Sequence, residues 1–312
     1  MVLSTITLNP AIDKTYFVNG FTQNALNRAW KVKTNIGGKG INVSIIAARC
    51  SMTGIASGFL SGTNGRYIEE KLAGEGVRTN FCFTEGETRI NAKVADVHNN
   101  TYTDINDCGP SISEDDVRSL LKKIAEIAKE SDVVHMGGSF HPDIAPDIYK
   151  QFIEVVHANG AKTVLDAGGD ALRHGILAKP DTIKPNKLEL ELMIGRKIKS
   201  VADAGQAAAE IVSAGVKNVL VSLGGNGAVA ADKNGVYRAY PLHVPVVGTV
   251  GAGDSFLAGY LYGKHSGLEM IDALKYATSF ASAKIQTEGT EIPSFEELIA
   301  AADTVVTEKI NI

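Results

Sequence analysis

Residues 133–169 read VVHMGGSFHPDIAPDIYKQFIEVVHANGAKTVLDAGG, and their order decides the fold class. Val133–Met136 is a short apolar run that stops at Gly137-Gly138-Ser139. A helix-forming stretch, Asp147–Ala158, follows and closes at Asn159-Gly160. A second apolar run, Thr163–Leu165, stops at Asp166-Ala167-Gly168-Gly169. Strand, helix, strand with glycine-rich punctuation is the βα unit of a largely parallel sheet. The pattern continues outward. Thr182–Ile183 leads into Lys184-Pro185-Asn186, and a helix over Val201–Ala214 closes at Gly215. Asn218–Leu223 ends in Gly224-Gly225-Asn226-Gly227. An α/β fold follows. In such sheets ligands bind beyond the carboxyl ends of the strands, which is where Gly, Ser, Asp and Asn gather here.

The N-terminal third reads differently. Residues 10–36 and 86–108 are alternating and turn-rich, as in Arg89-Ile90-Asn91-Ala92-Lys93-Val94-Ala95-Asp96-Val97 before the turn candidate Asn99-Asn100. They predict antiparallel strands of a small accessory sheet, separated by a Gly-rich helical stretch at 37–50. The expected organisation is a main domain of residues 1–9, 37–85 and 109–312 with a discontinuous lid of 10–36 and 86–108. Met1–Val18, MVLSTITLNPAIDKTYFV, reads as a first strand rather than a signal peptide, because Asp13 and Lys14 interrupt it. No run of about 18 apolar residues exists to cross a membrane. Acids exceed bases, 35 to 31, and no basic tail is present, which argues against a general nucleic-acid binder. Three widely spaced cysteines, Cys50, Cys82 and Cys108, fit a reducing, cytoplasmic setting better than a disulfide scaffold or a structural zinc site.

The strongest chemical signal is Thr249-Val250-Gly251-Ala252-Gly253-Asp254-Ser255-Phe256-Leu257-Ala258-Gly259. Gly251 and Gly253 permit a tight turn, and a helix of small and apolar residues follows. Backbone N–H groups at such a start collect anions. Asp254 on the first turn is placed to accept a proton from a hydroxyl attacking a phosphate held there. On that stretch alone it reads equally well as a helix cap; the rest of the chain favours the base. Gly37-Gly38-Lys39-Gly40-Ile41-Asn42 lacks the P-loop spacing. Its di-Gly lets a polar ligand approach the backbone, with Lys39 and Asn42 as donors, although an isolated GGKG is more often a helix start with a solvated Lys. Gly225-Asn226-Gly227-Ala228-Val229-Ala230 matches a loose dinucleotide fingerprint, but Asp232-Lys233-Asn234-Gly235 predicts a hairpin where the fingerprint demands a helix. A dehydrogenase is disfavoured on that ground. Asn186-Lys187-Leu188-Glu189 pairs a carboxamide and a carboxylate suited to a hydrated Mg²⁺; on spacing alone a capping box is the better reading. The seven histidines form no zinc-type pattern.

In this order, Gly37–Gly40, Asn186–Glu189 and Gly251–Asp254 resemble the ribokinase-like carbohydrate kinases of the PfkB family, over nearly the whole chain. Thr7-Leu8-Asn9-Pro10-Ala11-Ile12-Asp13 and Glu87-Thr88-Arg89-Ile90-Asn91 resemble its 1-phosphofructokinase and tagatose-6-phosphate kinase branch. The resemblance implies a three-layer α/β/α sandwich with a mainly parallel sheet and a small β-sheet lid that pairs into a homodimer. It implies ATP with Mg²⁺, and a ketohexose phosphate as acceptor, fructose 1-phosphate before tagatose 6-phosphate. By similarity Asp13, Gly38 and Asn42 bind sugar hydroxyls. Lys39, Arg89 and Ser139 hold the substrate phosphate, with Arg28 reaching it from a neighbouring subunit. Lys184, Asn186, Ser222, Gly224 and Gly227 line the nucleotide site. Glu189, with Asn186, organises Mg²⁺ through water. Gly251, Ala252 and Gly253 form the anion hole beside Asp254. Two stretches depart from the branch. Phe140-His141 enlarges the loop beside the substrate phosphate, and Asp166-Ala167-Gly168-Gly169 lacks a hydroxyl pair. A kinase of unphosphorylated sugars or nucleosides and a non-catalytic sensor of the same fold are the rival readings. Retention of Gly251–Asp254 counts against the sensor.

Overall fold

A computed structural model describes residues 1–312. The first half forms β1 (Leu3–Thr7), β2 (Ala11–Val18), β3 (Lys31–Gly37), α1 (Lys39–Arg49), β4 (Ile55–Ser61), α2 (Gly62–Gly74), β5 (Arg78–Thr79), β6 (Cys82–Thr84), β7 (Ile90–Asp96), β8 (Thr101–Ile105), α3 (Glu114–Lys129), β9 (Val133–Gly137) and α4 (Ile148–Ala158). The second half forms β10 (Lys162–Asp166), α5 (Gly169–Gly175), β11 (Thr182–Ile183), α6 (Lys187–Ile194), α7 (Val201–Ser213), β12 (Asn218–Ser222), β13 (Ala228–Asp232), β14 (Gly235–Ala239), α8 (Ala252–His265), α9 (Met270–Lys284), α10 (Phe295–Ile299) and β15 (Thr307–Ile310).

The main sheet runs β15-β14-β13-β12-β11-β10-β9-β1-β4-β5, with β6 also on β4. From β12 to β5 the pairing is parallel, and β13–β15 add an antiparallel edge. Strands buried on both faces explain the unbroken apolar runs seen in the sequence. Val134, Leu165, Val219 and Val221 pack into the layer built with α3, α4 and α7. Their neighbours Val133, Val164 and Leu220 face the opposite layer with α1, α8 and α9. Helix starts are set locally: Ser113, Asn186, Ser200 and Ser294 each cap a helix reciprocally with an acid three residues on. The turn at Lys233-Asn234 closes the β13–β14 hairpin, and no helix follows Gly227.

A separate four-stranded sheet runs β3-β2-β7-β8. Two sequence expectations are corrected here. Met1–Val18 is two strands in two different sheets, because Pro10 has no N–H to continue the ladder. The accessory sheet is also not wholly antiparallel. β2–β3 and β7–β8 are antiparallel hairpin-like pairs, but β2 and β7 lie parallel with Asp13 opposite Asn91. The chain enters both strands from the same side of the main sheet, so neither can turn back on the other.

Candidate active site

The carboxyl ends of β1, β9 and β10 meet in register, Thr7 beside Gly137 and Gly137 beside Asp166. Helix α1 packs across this edge. A Cβ on Gly40 would stand 2.3 Å from Thr7 Oγ1, so only glycine lets the helix start come this close. Between this edge and the four-stranded sheet lies a cavity of about 450 Å³. Asp13, Gly38, Lys39, Asn42, Arg89, Ser139, Gly251 and Asp254 all line it. Gly38, Lys39, Asn42, Arg89, Ser139, Gly251 and Asp254, far apart in the chain, thus share one space, which Ala252 and Gly253 do not line.

Asp254 sits at the third position of α8 and is 7% exposed. Gly251 precedes the helix with φ of 80°, in the left-handed region. Gly253 is helical, and its role is spatial: a Cβ there would lie 3.3 Å from the Lys184 ammonium. The Ala252 N–H turns back onto the Thr249 carbonyl at 3.2 Å, while the N–H groups of Gly251, Gly253 and Asp254 have no backbone acceptor. Such unsatisfied amides at a helix start are donors for an anion.

The Asn42 side-chain amide donates to Asp254 Oδ2 at 2.7 Å, fixing the carboxylate's orientation. Burial pushes the Asp254 carboxyl above the usual carboxylate value, and the negative Asp166 adds to this; Lys39, Asn42 and Lys184 only partly offset it. Asp166 behaves oppositely. It is fully buried, but Lys184 and Lys39 outweigh the burial and hold it below the usual value. Lys39 Nζ donates to Asp166 Oδ1 at 2.6 Å. Lys184 Nζ stands 3.2 Å from Oδ2, an ion-pair contact not aligned as a hydrogen bond. Burial works to lower Lys39, yet Asp166 and Asp254 together hold it above its ordinary value. The result is two carboxylates and two ammonium groups at the strand ends, with Asp166 anchoring the cations and Asp254 left as the more basic acid.

At the opposite wall, Arg89 is braced by backbone carbonyls on both sides of it. Its guanidinium donates to the carbonyls of Asp107 and Asn9, each at 2.9 Å. Asp13 accepts from the Asn91 amide at 3.0 Å and pairs with Lys93 at 3.3 Å. Sequence reading missed Asp166, Asn91 and Lys93 as members of the site. Asn91 and Lys93 alternate along β7, two and four residues beyond Arg89, which immediately precedes the strand, so period-two alternation carried a usable signal.

Arg28 lies in the exposed 19–30 segment and does not line the cavity of its own chain. Phe140 and His141 do not line it either. Phe140 packs edge-on against Tyr149 with centroids 5.6 Å apart, while Gly137, Gly138 and Ser139 of the same loop line the cavity.

Beyond Lys184, the ends of β11 and β12 carry the remaining candidates. Asn186 and Ser222 pair as an isolated parallel bridge. Asn186 and Glu189 form the reciprocal cap, with bonds of 2.8 and 2.9 Å. A Cβ on Gly168 would come within 3.0 Å of Glu189 Oε1, so the glycine that replaces a hydroxyl residue leaves room for that carboxylate. Gly224 and Gly227 flank a short turn, both with positive φ. No group of three or more His, Cys, Asp or Glu side chains forms a metal cage. A single carboxylate beside an anion site suits Mg²⁺ held mainly by water and phosphate oxygens.

Known proteins resemble this chain over most of its length. The profile of the pfkB family carbohydrate kinase matches residues 6–297. A 1-phosphofructokinase of Bacillus subtilis is 36% identical over 292 residues, covering 93% of this chain and 95% of its own. A tagatose-6-phosphate kinase of Staphylococcus epidermidis is 30% identical over 310 residues, covering 97% and 99%. The crystal structure of Escherichia coli phosphofructokinase-2 in complex with potassium superposes with a TM-score of 0.91 at 26% identity, over 97% of this chain and 98% of that one. With its ribokinase-like sheet, its strand-end cavity and a glycine turn that presents Asp254, the chain belongs to the pfkB family of carbohydrate kinases.

Proposed function

We propose that this sugar-phosphate kinase transfers the ATP γ-phosphoryl to a primary hydroxyl of a ketohexose phosphate, giving a 1,6-bisphosphate, with fructose 1-phosphate as the acceptor. The observation that carries this reading is one cavity with a basic carboxylate at one end and Arg89 and Lys39 on its walls. Asp254 accepts the hydroxyl proton. The free amides around Gly251 and Gly253 stabilise charge on the transferring group, and Lys39 and Lys184, held by Asp166, add fixed positive potential. Mg²⁺ would supply further neutralisation of the phosphate oxygens when bound, and Glu189 and Asn186 are the residues that would hold its waters. Arg89, Lys39 and Ser139 bind the substrate phosphate. Asp13, Gly38 and Asn42 take the sugar hydroxyls. Lys184, Asn186, Ser222, Gly224 and Gly227 line the nucleotide side, where the glycines let the base lie against the backbone.

The lid, residues 10–36 and 86–108, carries exposed Leu26, Trp30, Val32, Tyr102 and Ile105. So much apolar surface on a small sheet favours pairing with a second copy. In such a homodimer Arg28 serves the partner's substrate phosphate. A tagatose 6-phosphate kinase is the second reading, supported by the similarity over nearly the full chain reported above.

The test is ADP production with ATP and Mg²⁺ across fructose 1-phosphate, tagatose 6-phosphate, fructose 6-phosphate, fructose, ribose and adenosine. The highest kcat/KM on fructose 1-phosphate is the expected result. Preference for tagatose 6-phosphate selects the second reading. Turnover of free sugars or nucleosides alone overturns the phosphate roles of Lys39, Arg89 and Ser139.

A further inference from the structure

Only two lysines are buried, Lys184 and Lys284. Lys184 has Asp166 as counter-ion, whereas Lys284, 1% exposed at the end of α9, forms no ion pair. Its ammonium donates to Thr287 Oγ1 at 2.8 Å and to the Gly289 carbonyl at 2.9 Å. Thr287 Oγ1 in turn reaches the carbonyls of Lys284 and Glu291, each at 2.9 Å. The Lys284 stem passes beneath the anion hole, where a Cβ on Gly251 would lie 3.1 Å from its Cε. Segment 247–248 is tied to the same place, since the N–H groups of Val247 and Gly248 both donate to the Ile285 carbonyl, at 2.8 and 3.1 Å. The ammonium therefore stands where the segment leading into the anion hole meets the 285–291 loop. Thr290 of that loop lines the active cavity, and Glu288 and Glu291 pair with Lys31 and Lys33 of the lid.

A buried cation without a carboxylate partner is costly, and neutral oxygens are its compensation. Carbonyl and hydroxyl oxygens turned on one positive charge are also how proteins hold a dehydrated monovalent ion. An ammonium has the charge of K⁺ and a similar radius, and here it holds two neutral oxygens of the kind such an ion takes, the Thr287 hydroxyl and the Gly289 carbonyl. Burial draws Lys284 down to about 8, with Glu291 and Asp254 acting to raise it and Lys93 to lower it further, as expected of a cation held mainly by neutral groups.

We propose that Lys284 is a tethered monovalent cation, a positioning residue that locks the 285–291 loop and the Gly251 turn together, so that phosphoryl transfer needs no free K⁺. The catalytic part rests on the kinase reading; the binding part does not. The E. coli neighbour described in complex with potassium is the natural contrast.

The test compares the whole protein and Lys284→Ala in Na⁺, K⁺ and tetramethylammonium chlorides at equal ionic strength, by thermal unfolding and by kinetics. The wild type is expected to show the same Tm and kcat in K⁺ as in Na⁺. The variant is expected to lose kcat by ~10–100-fold, less than the loss of an oxyanion donor outright, with KM for the sugar little changed. K⁺ or ammonium should restore part of its kcat and raise its Tm above that in Na⁺, because the vacated oxygens now accept a free ion. K⁺-specific activation or stabilisation of the wild type overturns the proposal, as does a variant with wild-type kcat in Na⁺. Should Lys284→Ala fail to fold, Lys284→Met keeps the stem and the wild-type comparison still decides. Absence of turnover on every sugar refutes the kinase reading alone, since the thermal comparison remains decisive.

Discussion

Asp254→Asn separates a catalytic carboxylate from a structural one. Asparagine keeps the shape of the side chain and an acceptor oxygen for the Asn42 amide, now 2.7 Å from Oδ2. What it removes is basicity. A general base contributes ~10²–10⁴-fold, so kcat should fall by that factor, or ~2.7–5.4 kcal/mol in the barrier. Stability should move the other way. Burial, then Asp166, raises the Asp254 carboxyl above its ordinary 3.8. A raised carboxyl means the charged form is less favourable folded than unfolded, so at neutral pH its charge opposes folding. The neutral amide relieves this, and the variant's Tm should equal or exceed that of the wild type. The assay is kcat at saturating sugar phosphate, KM for ATP, and thermal unfolding at pH 7. Turnover within tenfold of wild type, or a clear fall in Tm with ATP binding lost, would show that Asp254 mainly caps its helix.

Arg89→Ala should raise KM for the sugar phosphate by ~10–100-fold, the weight of a charge-assisted hydrogen bond, with KM for ATP little altered; equal changes in both would mean that Arg89 only braces the lid through Asn9 and Asp107. Asp166→Asn leaves Lys184 and Lys39 without their buried counter-ion and should cost ~3–5 kcal/mol in chemical denaturation at pH 7. Because Asp166 is held below 3.8, the stabilisation it provides is present above that pH and lost as pH falls through its lower folded value, so the gap to wild type should close only in strong acid. The same substitution removes a negative neighbour of Asp254, so the acid limb of kcat/KM should move to lower pH; an unmoved or raised limb refutes the electrostatic link. Gly227→Ala places a Cβ 2.2 Å from the Ala239 carbonyl at φ of 84° and should weaken ATP binding in a calorimetric titration, while unchanged affinity would remove Gly227 from the nucleotide site.

What the sequence made legible were features set by local chemistry. The Gly251–Asp254 turn, the α1 entry at Gly38–Gly40 and the hairpin after Gly227 all follow from glycine placement and periodicity within a few residues. What it concealed depends on which distant segments meet. Asp166 reads as an ordinary strand end until Lys39 and Lys184 converge on it from positions 39 and 184. The direction of β2 against β7 was unreadable for the same reason, because pairing sense is decided by how the chain crosses the main sheet between residues 18 and 90.

The parallel pairing of β2 with β7 has a consequence for how the molecule is made. Asp13 and Asn91 meet only after the 77 residues between them have emerged and α1, β4 and α2 have taken their places. Until then β2 offers a bare ladder edge, in a segment that already carries Leu26, Trp30 and Val32. A ribosome-bound chain halted before residue 90 therefore displays an adhesive half-sheet, the form most exposed to misassembly. That wall of the cavity is closed only once β7 and β8, residues 90–105, have been made, and it is then complete before β9, β10 and α8 supply the opposite side.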